Sequence, residues 1–91
     1  MTITVRYQTQ VKRAAGIVGE VVEVDGGSLQ QLLQHLVARH GGAFRRLLVR
    51  DDGTPQGSIL VFVGERQVAV NAPAVLRDGD VVTLLAPMAG G

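Results

Sequence analysis

The group in this sequence best suited to chemistry is the carboxylate of its last residue, carried by Gly90-Gly91 with no side-chain bulk beside it. Glycine lets one backbone approach another closely, so such an end can be threaded into a narrow channel of a second protein. A free carboxylate is a poor acyl donor, and acyl chemistry at Gly91 therefore requires activation by a good leaving group. With glycine at about 7% of residues, a Gly-Gly end arises by chance in about one chain in 200. The alternatives in the sequence are weaker. There is no cysteine, which excludes disulfides, thiolate nucleophiles, cysteine-ligated zinc and iron–sulfur clusters. His35 and His40 stand five apart, off a common helical face, with no paired carboxylate, so no metal site is expected and both read as surface histidines. No Ser–His, Cys–His or paired-carboxylate arrangement is visible, and the chain is not expected to be an enzyme by itself.

Composition narrows the setting. The 91 residues suffice for one domain with one modest core. Hydrophobic residues make up 46% of the sequence, with no run long enough to cross a bilayer. Met1 leads directly into a strand-like pattern without the basic start and apolar stretch of a secretory signal, so a cytoplasmic location is the expectation. A formal net charge of +1 and 3% aromatic residues argue against a nucleic-acid platform.

The elements that must position the terminus follow from periodicity. Ile3, Val5 and Tyr7 alternate with Thr2, Thr4, Arg6 and Gln8, a half-buried strand. A polar stretch through Lys12, Arg13 and Gly16 leads to a second strand within residues 17–24, where Val18, Val22 and Val24 share a parity. Asp25-Gly26-Gly27 turns the chain, and Ser28 with Gln31 forms a capping box that predicts a helix from Leu29. Gly26-Gly27-Ser28 lacks the spacing and lysine of a phosphate loop and reads as a cap. Leu29, Leu32, Leu33, Leu36 and Val37 make one apolar stripe, and Gly41-Gly42 ends the helix. Arg39, Arg45, Arg46 and Arg50 form a basic stretch, partly cancelled by Asp51 and Asp52 and read as a solvated face. A short helical turn around Phe44–Leu48 precedes an exposed loop over residues 51–57. Ile59–Val63 and Arg66–Val70 make a hairpin around Gly64-Glu65, and Arg77-Asp78-Gly79-Asp80 is a turn. Val81–Leu85 is apolar on both parities, as expected of a central strand covered on each side.

One helix against one mixed sheet of four to five strands is an α+β arrangement. A right-handed crossover lets the first and last strands lie side by side and parallel, which is the β-grasp, or ubiquitin-like, fold. Pro87 lacks an N–H and stops strand pairing. The expected division is therefore a domain over residues 1–86 and a tail over 87–91, with Pro87, Met88, Ala89 and Gly90 leading Gly91 into a partner.

Leu76-Arg77-Asp78-Gly79-Asp80-Val81-Val82, followed by Leu84-Leu85-Ala86-Pro87-Met88-Ala89-Gly90-Gly91, resembles the C-terminal signature of the MoaD/ThiS sulfur carriers, which include the small subunit of molybdopterin synthase. Two departures stand beside it: Val63-Gly64-Glu65-Arg66 lacks the Asn-Gly common in this hairpin, and Met88 stands where a small β-branched residue is common. The resemblance implies that a ubiquitin-activating-type enzyme adenylates Gly91 and that a sulfur donor then converts it to a thiocarboxylate. ATP and Mg²⁺ would belong to that enzyme, and no cofactor is expected on this chain. The sulfur could pass to molybdopterin, to which the tail with Pro87 points, or to cysteine, thiamine or a tRNA base. In the molybdopterin case the large subunit of molybdopterin synthase would receive the tail. A protein modifier, which would end in an amide to a lysine, and a plain β-grasp interaction module are the competing readings. For docking, the last strand offers Val82 and Leu84 on one parity and Val81, Thr83 and Leu85 on the other, and the second set is the candidate partner surface.

Overall fold

The computed structural model describes residues 1–87. The elements run β1 (Thr2–Gln8), α1 (Thr9–Ala15), β2 (Gly19–Glu23), α2 (Leu29–His40), α3 (Gly42–Leu48), β3 (Leu60–Val63), β4 (Arg66–Val68) and β5 (Val81–Ala86). The five strands form one mixed sheet in the order β2-β1-β5-β3-β4. β1 and β5 are parallel, and the other neighbouring pairs are antiparallel. This is the β-grasp arrangement, with β5 at the centre.

Register places the core. Val5 lies beside Val82, and Tyr7 beside Leu84, while Val61 flanks Leu84 from the other side. These residues, with Ile3 and Val22, form the inner face of the sheet. The helices cover it with Val11, Leu29, Leu32, Leu33, Leu36, Phe44 and Leu48, all buried in one cluster. At about 25 cal/mol per Å² of apolar surface removed from water, each such leucine contributes on the order of 2 kcal/mol. Burial on the inner face is thus the main force holding sheet and helices together.

α2 starts as its sequence dictates. The Ser28 hydroxyl accepts from Gln31 N at 3.1 Å, and the Gln31 side chain accepts from Ser28 N, a complete capping box. Gly41, at φ +62°, closes the helix by donating to the Val37 carbonyl at 2.8 Å. The chain then enters α3 directly, a full short helix where one turn was expected.

The structure corrects four expectations. The polar stretch after β1 is a helix, α1, whose one fully buried residue is Val11, and Val18, expected on the core parity of the second strand, precedes β2 and is 73% exposed. Val81–Leu85 is not covered on each side: the helices pack on one face, so Val82 and Leu84 are fully buried while Val81, Thr83 and Leu85 remain half-buried. His40 is not a surface histidine, since its side chain is 14% exposed and is bound to Glu20.

Candidate functional site at the end of the central strand

β5 is hydrogen-bonded on both edges, which fixes the direction in which the chain leaves the sheet. Its start is held by the turn before it. Asp78 Oδ1 accepts from Thr2 N at 2.6 Å, and Gly79 N donates to the Thr2 carbonyl at 2.8 Å. Asp80 Oδ2 accepts from Arg77 N at 2.8 Å, and Thr4 N donates to the Asp80 carbonyl at 3.0 Å. Gly79 sits at φ +89°, where a β-carbon is disfavoured. The Asp-Gly-Asp turn therefore does more than reverse the chain, because it grips both backbone groups of Thr2 and so sets the parallel register of β1 and β5.

The far end of β5 is held by α1. Thr9 forms a parallel bridge with Ala86, and its hydroxyl donates to the Ala86 carbonyl at 2.6 Å. Thr9 adopts φ +55°, rare for a threonine. Sequence reading missed this residue, and its type and position carry no local signal, because its partner lies 77 residues away. Ala86 is buried and Pro87 is exposed, so the domain surface lies between them. The predicted tail residues Met88, Ala89, Gly90 and Gly91 lie outside the described residues.

The outer face of the sheet lies beside this exit. Val81 pairs with Thr4, Thr83 with Arg6, and Leu85 with Gln8. On the other flank Leu60 lies against Leu85 and Phe62 against Thr83. Val81, Thr83, Leu85, Leu60 and Phe62 thus share one half-buried face, extended at the β2 edge by Val21, which is 63% exposed. The structure brings the three sequence-predicted docking residues together and adds Leu60, Phe62, Val21 and Arg6. The signal for Leu60 and Phe62 was present in the run Ile59–Val63, which like β5 is apolar on both parities. Arg6 places one cation in the middle of this mostly apolar surface.

At the rim of the inner face lies a charged cluster. Glu20 Oε2 accepts from the Tyr7 hydroxyl at 2.5 Å and lies 2.5 Å from His40 Nε2. Arg39 Nε is 2.5 Å from Oε1, a charge partner without hydrogen-bond alignment, so that oxygen accepts no hydrogen bond. Burial pulls the Glu20 carboxyl up, but the hydrogen bonds from Tyr7 and His40, with the charges of His40 and Arg39, outweigh it and hold it below the ordinary range. Burial first, and then the adjacent Glu20 carboxylate, push the Tyr7 hydroxyl far above its ordinary value. The cluster joins β1, β2 and the end of α2 at a point remote in sequence from the tail. His35 is exposed on α2. Among the described residues no group of three or more His, Cys, Asp or Glu side chains is arranged to hold a metal, and no helix is long and apolar enough to cross a membrane.

With a ubiquitin-like sheet and a turn that sets its central strand in place, the comparison with known proteins is decisive. The model of the ThiS family matches residues 5–91. The chain belongs to the ThiS family. Its relatives are small ubiquitin-like sulfur-carrier proteins, and solved structures share the fold. SAMP1 from Haloferax volcanii superposes with a TM-score of 0.85 at 25% identity over 100% of both chains. A chain of the Amycolatopsis orientalis BexX/CysO complex is 30% identical, with a TM-score of 0.69 over 98% of this chain and 99% of that one. A candidate molybdopterin converting factor, subunit 1, from Pyrococcus furiosus gives a TM-score of 0.75 at 24% identity over 96% and 98% of the two chains. Among curated proteins none matches this sequence.

Proposed function

We propose that this ThiS-family protein is a sulfur carrier whose reacting group is the Gly91 carboxylate. A carboxylate oxygen of Gly91 attacks the α-phosphorus of ATP in an adenylating enzyme, and pyrophosphate leaves. A donor at the sulfide level then attacks the acyl carbon and AMP departs, so that one C–O bond is replaced by one C–S bond. The resulting thiocarboxylate carries sulfur without any cysteine. The observation that carries this reading is that the family match extends through residue 91 and so includes Gly90-Gly91.

The fold supports the division of labour. Ala86 is anchored by Thr9, and the five residues 87–91 reach at most about 17 Å when extended. An adenylating site must therefore lie within that reach of the exit, and the face of Val81, Thr83 and Leu85, with Leu60 and Phe62, is where such an enzyme would grip. ATP and Mg²⁺ belong to that enzyme, this chain holds no cofactor, and it acts as a co-substrate and not as a catalyst. For the sulfur acceptor we favour a molybdopterin precursor, on Ala86-Pro87 ahead of the tail and on the fold shared with the Pyrococcus furiosus protein. In that case the tail would enter the large subunit of a molybdopterin synthase. Cysteine, thiamine and tRNA pathways share the same first steps.

A second reading, protein modification through an amide of Gly91, draws on the full-length likeness to SAMP1 of Haloferax volcanii, a small archaeal modifier protein. One experiment separates the two. The protein is incubated with an adenylating enzyme from its source, ATP and a sulfur donor, beside a variant lacking Gly90 and Gly91, and intact masses are recorded. Exchange of one oxygen for one sulfur in the full chain alone supports the carrier. A thiol-resistant adduct of higher mass supports the modifier. No change in either protein would overturn both.

A further inference from the structure

The chain contains a single lysine, Lys12. Its only other amine is that of Met1, and this one is engaged: it donates to the Val24 carbonyl at 2.8 Å and lies 3.9 Å from the Glu23 carboxylate. Lys12, by contrast, is exposed and forms no ion pair among the described residues. It stands on α1, the helix that receives the end of β5. Thr9, at the start of this helix, binds the Ala86 carbonyl, and Lys12 follows it three residues on in the same seven-residue helix. Thr9 and Lys12 line one surface groove with Arg13, Ile17 and Val18. The sole lysine of the sequence thus stands on the helix that anchors the end of β5, and the five residues beyond Ala86 cover about 17 Å when extended.

We propose that Lys12 is a built-in acceptor for the activated acyl group of Gly91 in its own chain. The ε-nitrogen attacks the acyl carbon, the activating group leaves (AMP from an adenylate, a thiol from a thioester), one proton is released and an internal isopeptide bond forms. A short tether gives the two ends an effective concentration in the millimolar range, so at micromolar protein the same chain outcompetes a second copy. An activated tail that leaves its enzyme without meeting sulfur is thereby closed on Lys12 and withdrawn from service. The proposal rests on the reading that Gly91 is the activated group, and its test is independent of any activating enzyme.

The full chain is prepared with Gly91 as a small-molecule thioester and incubated at micromolar concentration, and intact mass and tryptic peptides are recorded. The expected product has lost the thiol without gaining water. Trypsin leaves Lys12 uncut and releases a branched peptide joining residues 7–13 to residues 78–91. Its yield is independent of protein concentration, and it is lost in Lys12→Arg, whose circular dichroism matches the parent. Hydrolysis alone, closure on Met1, or an adduct that forms only between two chains would overturn the proposal. Closure of the thioester, with no adenylation of Gly91 by any activating enzyme, would sink the carrier reading while the Lys12 chemistry stood.

Discussion

Replacing Glu20 by alanine removes the acceptor that ties β1, β2 and the end of α2 together. Its carboxylate takes one hydrogen bond from Tyr7 at 2.5 Å and contacts His40 at 2.5 Å, with its side chain 9% exposed. Hydrogen bonds to a buried charge contribute about 1.5–3 kcal/mol each, but these two share one oxygen and their contributions do not add fully. Arg39 is 56% exposed, so its pair with Glu20 adds at most about 1 kcal/mol. The Tyr7 hydroxyl, on a side chain packed edge-on against Phe44 and His40, would lose its carboxylate acceptor. Together these give a loss of about 3–4 kcal/mol at pH 7. In a domain of this size that lowers the melting temperature by at least about 12 °C. Glu20→Gln keeps an acceptor without the charge and should fall between parent and alanine variant. The pH dependence has a definite sign. The folded-state pKa of Glu20 lies below its ordinary 4.5, so its stabilising contribution is fully present above about pH 4.5 and is lost as pH falls through the folded value. The gap between parent and Glu20→Ala should therefore narrow on acidification below pH 4.5. Urea unfolding followed by circular dichroism across this range is the assay. A loss under about 1 kcal/mol at pH 7, or a gap that does not change with acid, would refute the reasoning.

Three further outcomes follow from the site. Phe62→Asp and Leu85→Asp should each raise the KM for this protein in an adenylation assay by about 30-fold, the equivalent of about 2 kcal/mol at an interface anchor, with the circular dichroism spectrum unchanged; a parental KM would remove the outer face from the docking surface. Asp78→Ala should cost about 1 kcal/mol in urea unfolding by freeing Thr2 N, and Gly79→Ala about 1–2 kcal/mol from its left-handed backbone, although nothing lies within 4 Å of an added β-carbon there. Deletion of Gly91 should abolish formation of the thiocarboxylate, read by intact mass, while leaving the melting temperature unaltered; sulfur incorporation in that variant would refute Gly91 as the reacting group.

Features that depend on neighbours in sequence were legible without coordinates. The Ser28–Gln31 capping box, the stripe Leu29, Leu32, Leu33 and Leu36, and the turn at Asp78-Gly79-Asp80 each bring their own partners within a few residues. α1 was not legible, because it is seven residues long with one buried side chain, Val11. Too short to be stable alone, it is held by packing on the sheet. His40 was misread for a related reason: Glu20, the group that buries it, lies 20 residues earlier on a different element. No rule of spacing links a histidine at a helix end to a glutamate on an edge strand.

By itself the sequence determined the order of the strands and of α2 among them, the place of β5 in the centre of the sheet and the identity of the terminal Gly90-Gly91, since alternation, capping and turn chemistry act over short range. Which face of β5 is buried could not be read, because Val82 and Leu84 on one parity and Val81 and Leu85 on the other are equally apolar. Only the tertiary structure decided it: all three helices pack on one side, and one layer of helices buries one face of a sheet and leaves the other half-buried. The same packing set Thr9 against Ala86, a contact between residues 77 apart in sequence that no local pattern encodes.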